Sequence, residues 1–274
     1  MFSEDIKKGF PTLINDPELV YLDSAASTQT HQSVLDRMHR YYTEQRCNVN
    51  RGDFRISQDV SADIEKSRQS FATLINAEPE QIMFTAGATE GLNIVADWCK
   101  DVPVVIITEA EHTANILPWI AQGRTVDNGR LIVLPVTDKG TLNLTECAKI
   151  FEKWPYALLS ITSHSNVTGI GNNIKKLTKM AHDYGIRVCV DACQTAGTHE
   201  FDSYTVDWAV FSGHKMYGPT GVGVLYSRLP FERYRAVRLG GGAVTHYDFN
   251  GNMQFYDCLL YTSDAADDTP CVDL

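Results

Sequence analysis

RVCVDACQTAGTHEFDSYTVDWAVFSGHKMYGPTGVGVLY, residues 187–226, is the stretch whose reading decides the fold. Three apolar runs at 187–191, 206–211 and 222–226 are separated by segments rich in Gly, Ser, Thr and Pro. Short runs of this kind, bounded by turn formers, read as buried strands. Asp191 closes the first run, and Ser212-Gly213-His214-Lys215 follows directly on the second.

Outward from this stretch the same alternation holds from about residue 81. Apolar runs at 81–85, 104–108, 131–136 and 156–163 alternate with amphipathic stretches at 90–98, 114–121, 144–154 and 174–184. The pattern predicts an α/β domain with a mainly parallel sheet and helices on both faces. Ligands in such sheets sit beyond the carboxyl ends of the strands, so the residues after each run are the candidates for chemistry. Residues 1–80 read as an N-terminal lead-in, with helical patterns at 33–44 and 60–75, and residues 81–257 as the large domain. Residues 258–274, rich in Asp and small side chains without periodicity, are expected to be foreign or frame-shifted sequence.

Composition narrows the function class. With 274 residues and 43% hydrophobic content, a sizeable core is expected. Acidic residues outnumber basic ones 34 to 24 and no Lys/Arg-rich run offsets them, which disfavours nucleic acid and anionic membranes as partners. The cysteines at 47, 99, 147, 189, 193, 258 and 271 form no CxxC pair, and they read as reduced thiols of a cytoplasmic protein without a metal site. The N-terminus is charged and no apolar run approaches the roughly 18 residues of a span, so neither secretion nor membrane insertion is expected.

Lys215 stands after a strand and among glycines that let a ligand approach the backbone, a setting suited to imine formation with an aldehyde cofactor. Alone, it would be an ordinary turn lysine. Asp191 could pair with a protonated pyridine nitrogen and so make the ring an electron sink. Alone, an Asp there more often caps a helix or a turn. Gln194 could donate to a phenolic oxygen of the cofactor. Thr85-Ala86-Gly87-Ala88-Thr89-Glu90-Gly91 lies between a strand and a helix, so backbone N–H groups and the Thr89 hydroxyl point at one anion-sized spot. Ser212 and His214 could hydrogen-bond a phosphate beside Lys215. His112 could stack on a ring and carry protons, and Asn166 could hydrogen-bond cofactor or substrate. Neither a P-loop nor a dinucleotide fingerprint follows any strand.

Asp23-Ser24-Ala25-Ala26, Gly87-Ala88-Thr89-Glu90-Gly91, Glu111-His112, Ser165-Asn166-Val167-Thr168-Gly169, Asp191-Ala192-Cys193-Gln194 and Ser212-Gly213-His214-Lys215 resemble, together and in order, the class V aminotransferase group of fold-type-I pyridoxal 5′-phosphate (PLP) enzymes. Within that group the likeness is nearest to Suf-type cysteine desulfurases and selenocysteine lyases, and it runs from about residue 20 to Gly240-Gly241-Gly242. The resemblance implies a PLP-dependent transferase large domain with the cofactor on Lys215 and Asp191 on the pyridinium. It also implies Gln194 and Asn166 around the ring, His112 stacked on it as a proton carrier, and Ala88, Thr89, Ser212 and His214 at the phosphate. Ala25, Ala26, Asn50 and Arg51 would line the substrate side.

The implied reaction converts L-cysteine, or L-selenocysteine, to L-alanine. Sulfur passes to an enzyme cysteine and then to an acceptor protein for iron–sulfur cluster assembly, and the full-length enzyme is expected to be a homodimer. Another class V enzyme, an aminotransferase or epimerase, or a β-elimination lyase, would use the same ring-binding residues, and a non-catalytic PLP-binding fragment is a further alternative. Two departures stand out. Ala88 takes a place that often carries a second hydroxyl, which removes a hydrogen bond worth about 1 kcal/mol. The family's C-terminal small domain, with its nucleophilic cysteine and carboxylate-binding arginine, is not recognisable, so the chain as it stands is expected to be inactive as a desulfurase.

Overall fold

The computed structural model describes residues 4–49, 52–234, 237, 244–248, 250 and 253–255. The lead-in comprises α1 (Glu4–Lys7), α2 (Pro11–Asn15), α3 (Gln32–Arg40), a single π-helical turn at Tyr41–Gln45 and the long α4 (Arg55–Leu74). The domain proper follows as β1 (Ile82–Thr85), α5 (Ala88–Trp98), β2 (Val105–Thr108), α6 (Leu117–Ala121), β3 (Leu131–Leu134), α7 (Leu144–Lys153), β4 (Leu158–Thr162), α8 (Ile174–His182), β5 (Arg187–Asp191), β6 (Trp208–Ser212) and β7 (Gly223–Ser227). A hairpin of β8 (Val244–Tyr247) and β9 (Met253–Phe255) comes last.

The seven strands form one sheet in the order β1-β7-β6-β5-β4-β2-β3, the fold-type-I PLP transferase architecture. Strands β2 to β6 pair in parallel, while β7 runs antiparallel between β1 and β6. The alternation in the sequence does not disclose that reversal. Its cause is the connection: residues 213–222 hold only a 3₁₀ turn, too short for the crossover helix a parallel link needs.

Strict period-two burial makes a core on each face. On one face Ile106, Leu159, Ile161, Val188, Val190 and Phe211 pack against Ala72 and Ile75 at the end of α4, Cys147 and Phe151 of α7, and Leu177 and Ala181 of α8. On the other, Val105, Ile107, Leu158, Cys189, Trp208 and Val210 meet Leu92 and Val95 of α5 and Trp119 of α6. Asparagines start two of these helices. Asn143 accepts from the N–H groups of Thr145 and Glu146, and Asn173 from that of Lys176. The patterns expected at 33–44 and 60–75 become α3 with its π turn, and α4 starting five residues earlier at Arg55. The stretch at 114–121 begins as a 3₁₀ turn, Thr113–Asn115, with α6 starting two residues later at Leu117 ahead of Pro118.

Two glycines let layers touch. A Cβ on Gly91 would stand 2.7 Å from Val210 Cγ1, so α5 lies directly on β6. A Cβ on Gly223 would meet the backbone of Gly87 and Phe211, each at 2.5 Å, where nothing can swing aside. Gly223→Ala is therefore expected to cost about 1–3 kcal/mol, whereas Gly123→Asn, at a left-handed position with no atom within 4 Å of its Cβ, stays within about 0.5 kcal/mol. Urea midpoints at unchanged m-value measure both; equal midpoints for the two variants would contradict the packing at Gly223.

Candidate active site

Strands β1, β2, β4, β5 and β6 finish at one edge of the sheet, where β7 begins. Gly223 is registered against both Thr85 and Ser212, which sets the N-terminus of α5 beside the end of β6. Ala88 N–H donates to Ser212 Oγ at 3.1 Å and the Cys193 thiol donates to the same oxygen at 3.6 Å. With both lone pairs taken, Ser212 has its hydroxyl proton left to donate outward. Thr89 is exposed in this first turn, and Ala86 N–H is already taken by Glu90 Oε2 at 2.6 Å.

Lys215 is half-buried in a 3₁₀ turn, Gly213–Lys215, directly after β6. The lead-in fixes that turn. Thr28 donates to His214 O from its N–H at 2.8 Å and from its hydroxyl at 2.9 Å, and Thr28 Oγ1 accepts from Tyr217 N–H at 2.8 Å. Tyr217 O accepts from His31 N–H at 3.2 Å, and these bonds hold Tyr217 at φ 63°, a conformation rare for an aromatic residue. His214, half-buried, titrates below the ordinary histidine range because of burial and then the Lys215 charge.

Asp191 ends β5 on the adjacent strand and is buried, with 5% exposure. Its Oδ1 accepts from Cys193 N–H at 3.0 Å, and its backbone oxygen accepts from Ser163 N–H at 2.9 Å and Ser163 Oγ at 3.1 Å. Among the described residues no cation pairs with this carboxylate. Gln194 Nε2 donates to Ala25 O at 2.7 Å, tying the exposed Ala25-Ala26 segment to the turn after β5. Asn166 is exposed in the loop after β4. His164 stacks on His199 with ring centroids 4.7 Å apart, and burial followed by the His199 charge lowers its pKa. Asn50 and Arg51 lie outside the described residues.

His112 is exposed just beyond β2, where its Nδ1 accepts from Ala114 N–H at 3.2 Å. Beneath it lies a network to which the motif reading gave no role. Glu111 is buried. Thr108 Oγ1 donates to its Oε1 at 2.6 Å, Asn115 Nδ2 donates to its Oε2 at 2.6 Å, and Ser160 Oγ donates to Asn115 Oδ1 at 2.5 Å. Burial pushes the Glu111 carboxyl up to about 7, and the Asp191 charge adds to that rise against the hydrogen bonds from Thr108, Thr162 and Asn115. Thr28, Asn115 and Ser160 likewise stand in no motif that gives them a role. Cys193 and Glu111 each stand inside one, Cys193 beside Asp191 and Glu111 as an acid next to a candidate histidine.

The sequence model of the family described as aminotransferase class-V matches residues 20–258. The chain belongs to the class V aminotransferase family. A cysteine desulfurase of Klebsiella pneumoniae subsp. pneumoniae is 38% identical over 252 residues, which are 88% of this chain and 62% of that relative. A cysteine desulfurase of Escherichia coli strain K12 is 36% identical over 256 residues, covering 89% and 63%. The structure of a cysteine desulfurase from Thermococcus onnurineus NA1 superposes with a TM-score of 0.85 at 31% identity, over 97% of this chain and 68% of that one. This class V chain thus spans about 62% of the length of the curated relatives it matches.

PLP is the cofactor of the family. The edge of the sheet fits it chemically: a buried carboxylate lacking a cation suits a pyridinium, and Ser212 with the start of α5 offers donors to a phosphate. Cys193, beside these groups, is kept a thiol by burial and the Asp191 charge. Cys99, Cys147 and Cys189 are likewise raised by burial, and Cys258 and Cys271 lie outside the described residues.

Glu111 gives the site a pH signature. The folded chain holds this proton up to about pH 7 whereas an unfolded glutamate releases it near 4.5, so the fold binds more protons between those values. Stability should fall as pH rises through that window, by on the order of 3 kcal/mol, and level off above it. Glu111→Gln should flatten the fall in chemical denaturation between pH 5 and 8; an unchanged slope would contradict the assignment.

Proposed function

We propose that this chain is the cofactor-binding body of a PLP-dependent cysteine desulfurase, acting on L-cysteine and passing its sulfur to an acceptor protein. The observation that carries the reading is the buried Asp191 carboxylate, without a cationic partner among the described residues and one parallel strand from Lys215. The named activity of the relatives at 36–38% identity supports the substrate class.

In this reading Lys215 would hold the cofactor aldehyde covalently and, as a free amine once the substrate amine has taken its place, would carry the proton at the substrate Cα. Asp191 keeps the ring nitrogen protonated. When bound, the cofactor supplies an electron sink for the carbanion that forms as that proton leaves. Ser212, His214 and Thr89 would hold phosphate, with Ala88 contributing no hydroxyl and its N–H orienting Ser212. His112 would face the ring. Its Nδ1 is occupied as an acceptor, so the neutral imidazole carries its proton on Nε2, where it can be handed to substrate. Gln194 and Asn166 hydrogen-bond around the ring, which requires Gln194 to turn its amide from Ala25 O or to use its oxygen instead. Ala25 and Ala26, with Asn50 and Arg51, face the substrate. A second copy of the chain and a cytoplasmic setting belong to the same reading.

The purified protein should take up PLP with a visible absorption band, and borohydride should fix the cofactor's mass on the Lys215 peptide. Lys215→Ala should give no fixed adduct. Asp191→Asn should weaken PLP by about 10- to 100-fold, the scale of one charge-assisted contact. A wild-type protein that stays colourless with excess PLP, or an adduct on another lysine, would sink the reading.

A further inference from the structure

Glu111 and Asn115 bracket His112 from positions i−1 and i+3, and both side chains are buried while the histidine is exposed. Their bonds do not stay within the turn. Glu111 accepts from Thr108 at the end of β2, and Asn115, which donates to Glu111, accepts in turn from Ser160 on β4. Asn115 N–H in turn donates to His112 O at 2.8 Å. Two adjacent parallel strands are thus stitched to the one turn that carries the imidazole. Ala114 N–H, the donor that occupies His112 Nδ1, lies inside the stitched segment.

We propose that Glu111 is a positioning residue: through Thr108, Asn115 and, by way of Asn115, Ser160 of β4 it fixes the turn 111–115, and with it the place and tautomer of His112. Its role as a cofactor-site residue rests on the PLP reading above; its hold on the turn does not. Asp191 is the charged group that acts on Glu111 from β5, and the remaining contacts from β2, β4 and the turn are neutral donors. A carboxamide of the same shape can keep the bond from Asn115 and reach Thr108, so the clamp requires hydrogen bonding at this place and no negative charge.

Two measurements separate the turn from the cofactor. Without PLP, hydrogen exchange at the Ala114 amide reads the bond to His112 directly. Glu111→Ala and His112→Gln should each speed it about 10-fold, the double variant should be no faster than the singles by more than about 2-fold, and Glu111→Gln should stay within about 2-fold of wild type. With PLP, Glu111→Ala and His112→Gln should each weaken binding about 10-fold, again without adding. Additive effects, or a Glu111→Gln variant as impaired as Glu111→Ala, overturn the proposal. Should Glu111→Ala not fold, Ser160→Ala cuts the far end of the network. It should then speed Ala114 exchange about 3-fold in the wild-type background and not in His112→Gln, and equal speeding in both overturns the proposal. A wild type that takes up no PLP, yet shows the exchange pattern, removes the cofactor reading and leaves the clamp standing.

Discussion

A carboxylate buried without a cation is costly, and among the described residues the end of β5 keeps one. Asp191 is 5% exposed, has a single backbone N–H on Oδ1 at 3.0 Å, and stands in the middle of a sheet packed on both faces. Such a group is tolerable when a cation arrives to complete it. The surrounding structure holds the strand end fixed meanwhile: Ser163 donates twice to the Asp191 carbonyl, so β4 and β5 finish as one unit.

That charge acts two strands away, beyond the end of β2. A second ionised carboxylate near Asp191 would add repulsion to desolvation, and Glu111 is accordingly the acid whose affinity for its proton is raised by both. Cys193 and His214 follow the same logic in opposite senses. Burial and then the Asp191 charge raise the thiol, while burial and then the Lys215 charge lower the imidazole.

The strands and helices were legible because each carries its own period, and so was the placing of Asp191, which closes an apolar run, and of the Ser212–Lys215 segment, which follows one, at the edge of the sheet. Which layer a helix joins was not legible, nor was the reversal of β7, since a ten-residue link at 213–222 reads in the sequence as any other loop. The Glu111 network escaped for a different reason. Its bond from Ser160 to Asn115 spans 45 residues of chain, and no local pattern marks a serine in a strand as the partner of an asparagine in a distant turn. A hydroxyl inside an apolar strand such as Ser160 is the trace such networks leave.

The same distance effect explains the lead-in. From the sequence, residues 1–80 look like a segment that merely covers the sheet, but Thr28 binds His214 across 186 residues and Gln194 binds Ala25 across 169. Turns at a sheet edge have no ladder to stiffen them, and the Lys215 turn, which in the proposed function carries the cofactor, has its backbone fixed from outside. Thr28 does this by satisfying His214 O and Tyr217 N–H together, which keeps Tyr217 in a left-handed conformation it would not hold alone. The chain's first fifty residues are therefore part of the site through what they hold, although none of their described side chains carries its chemistry.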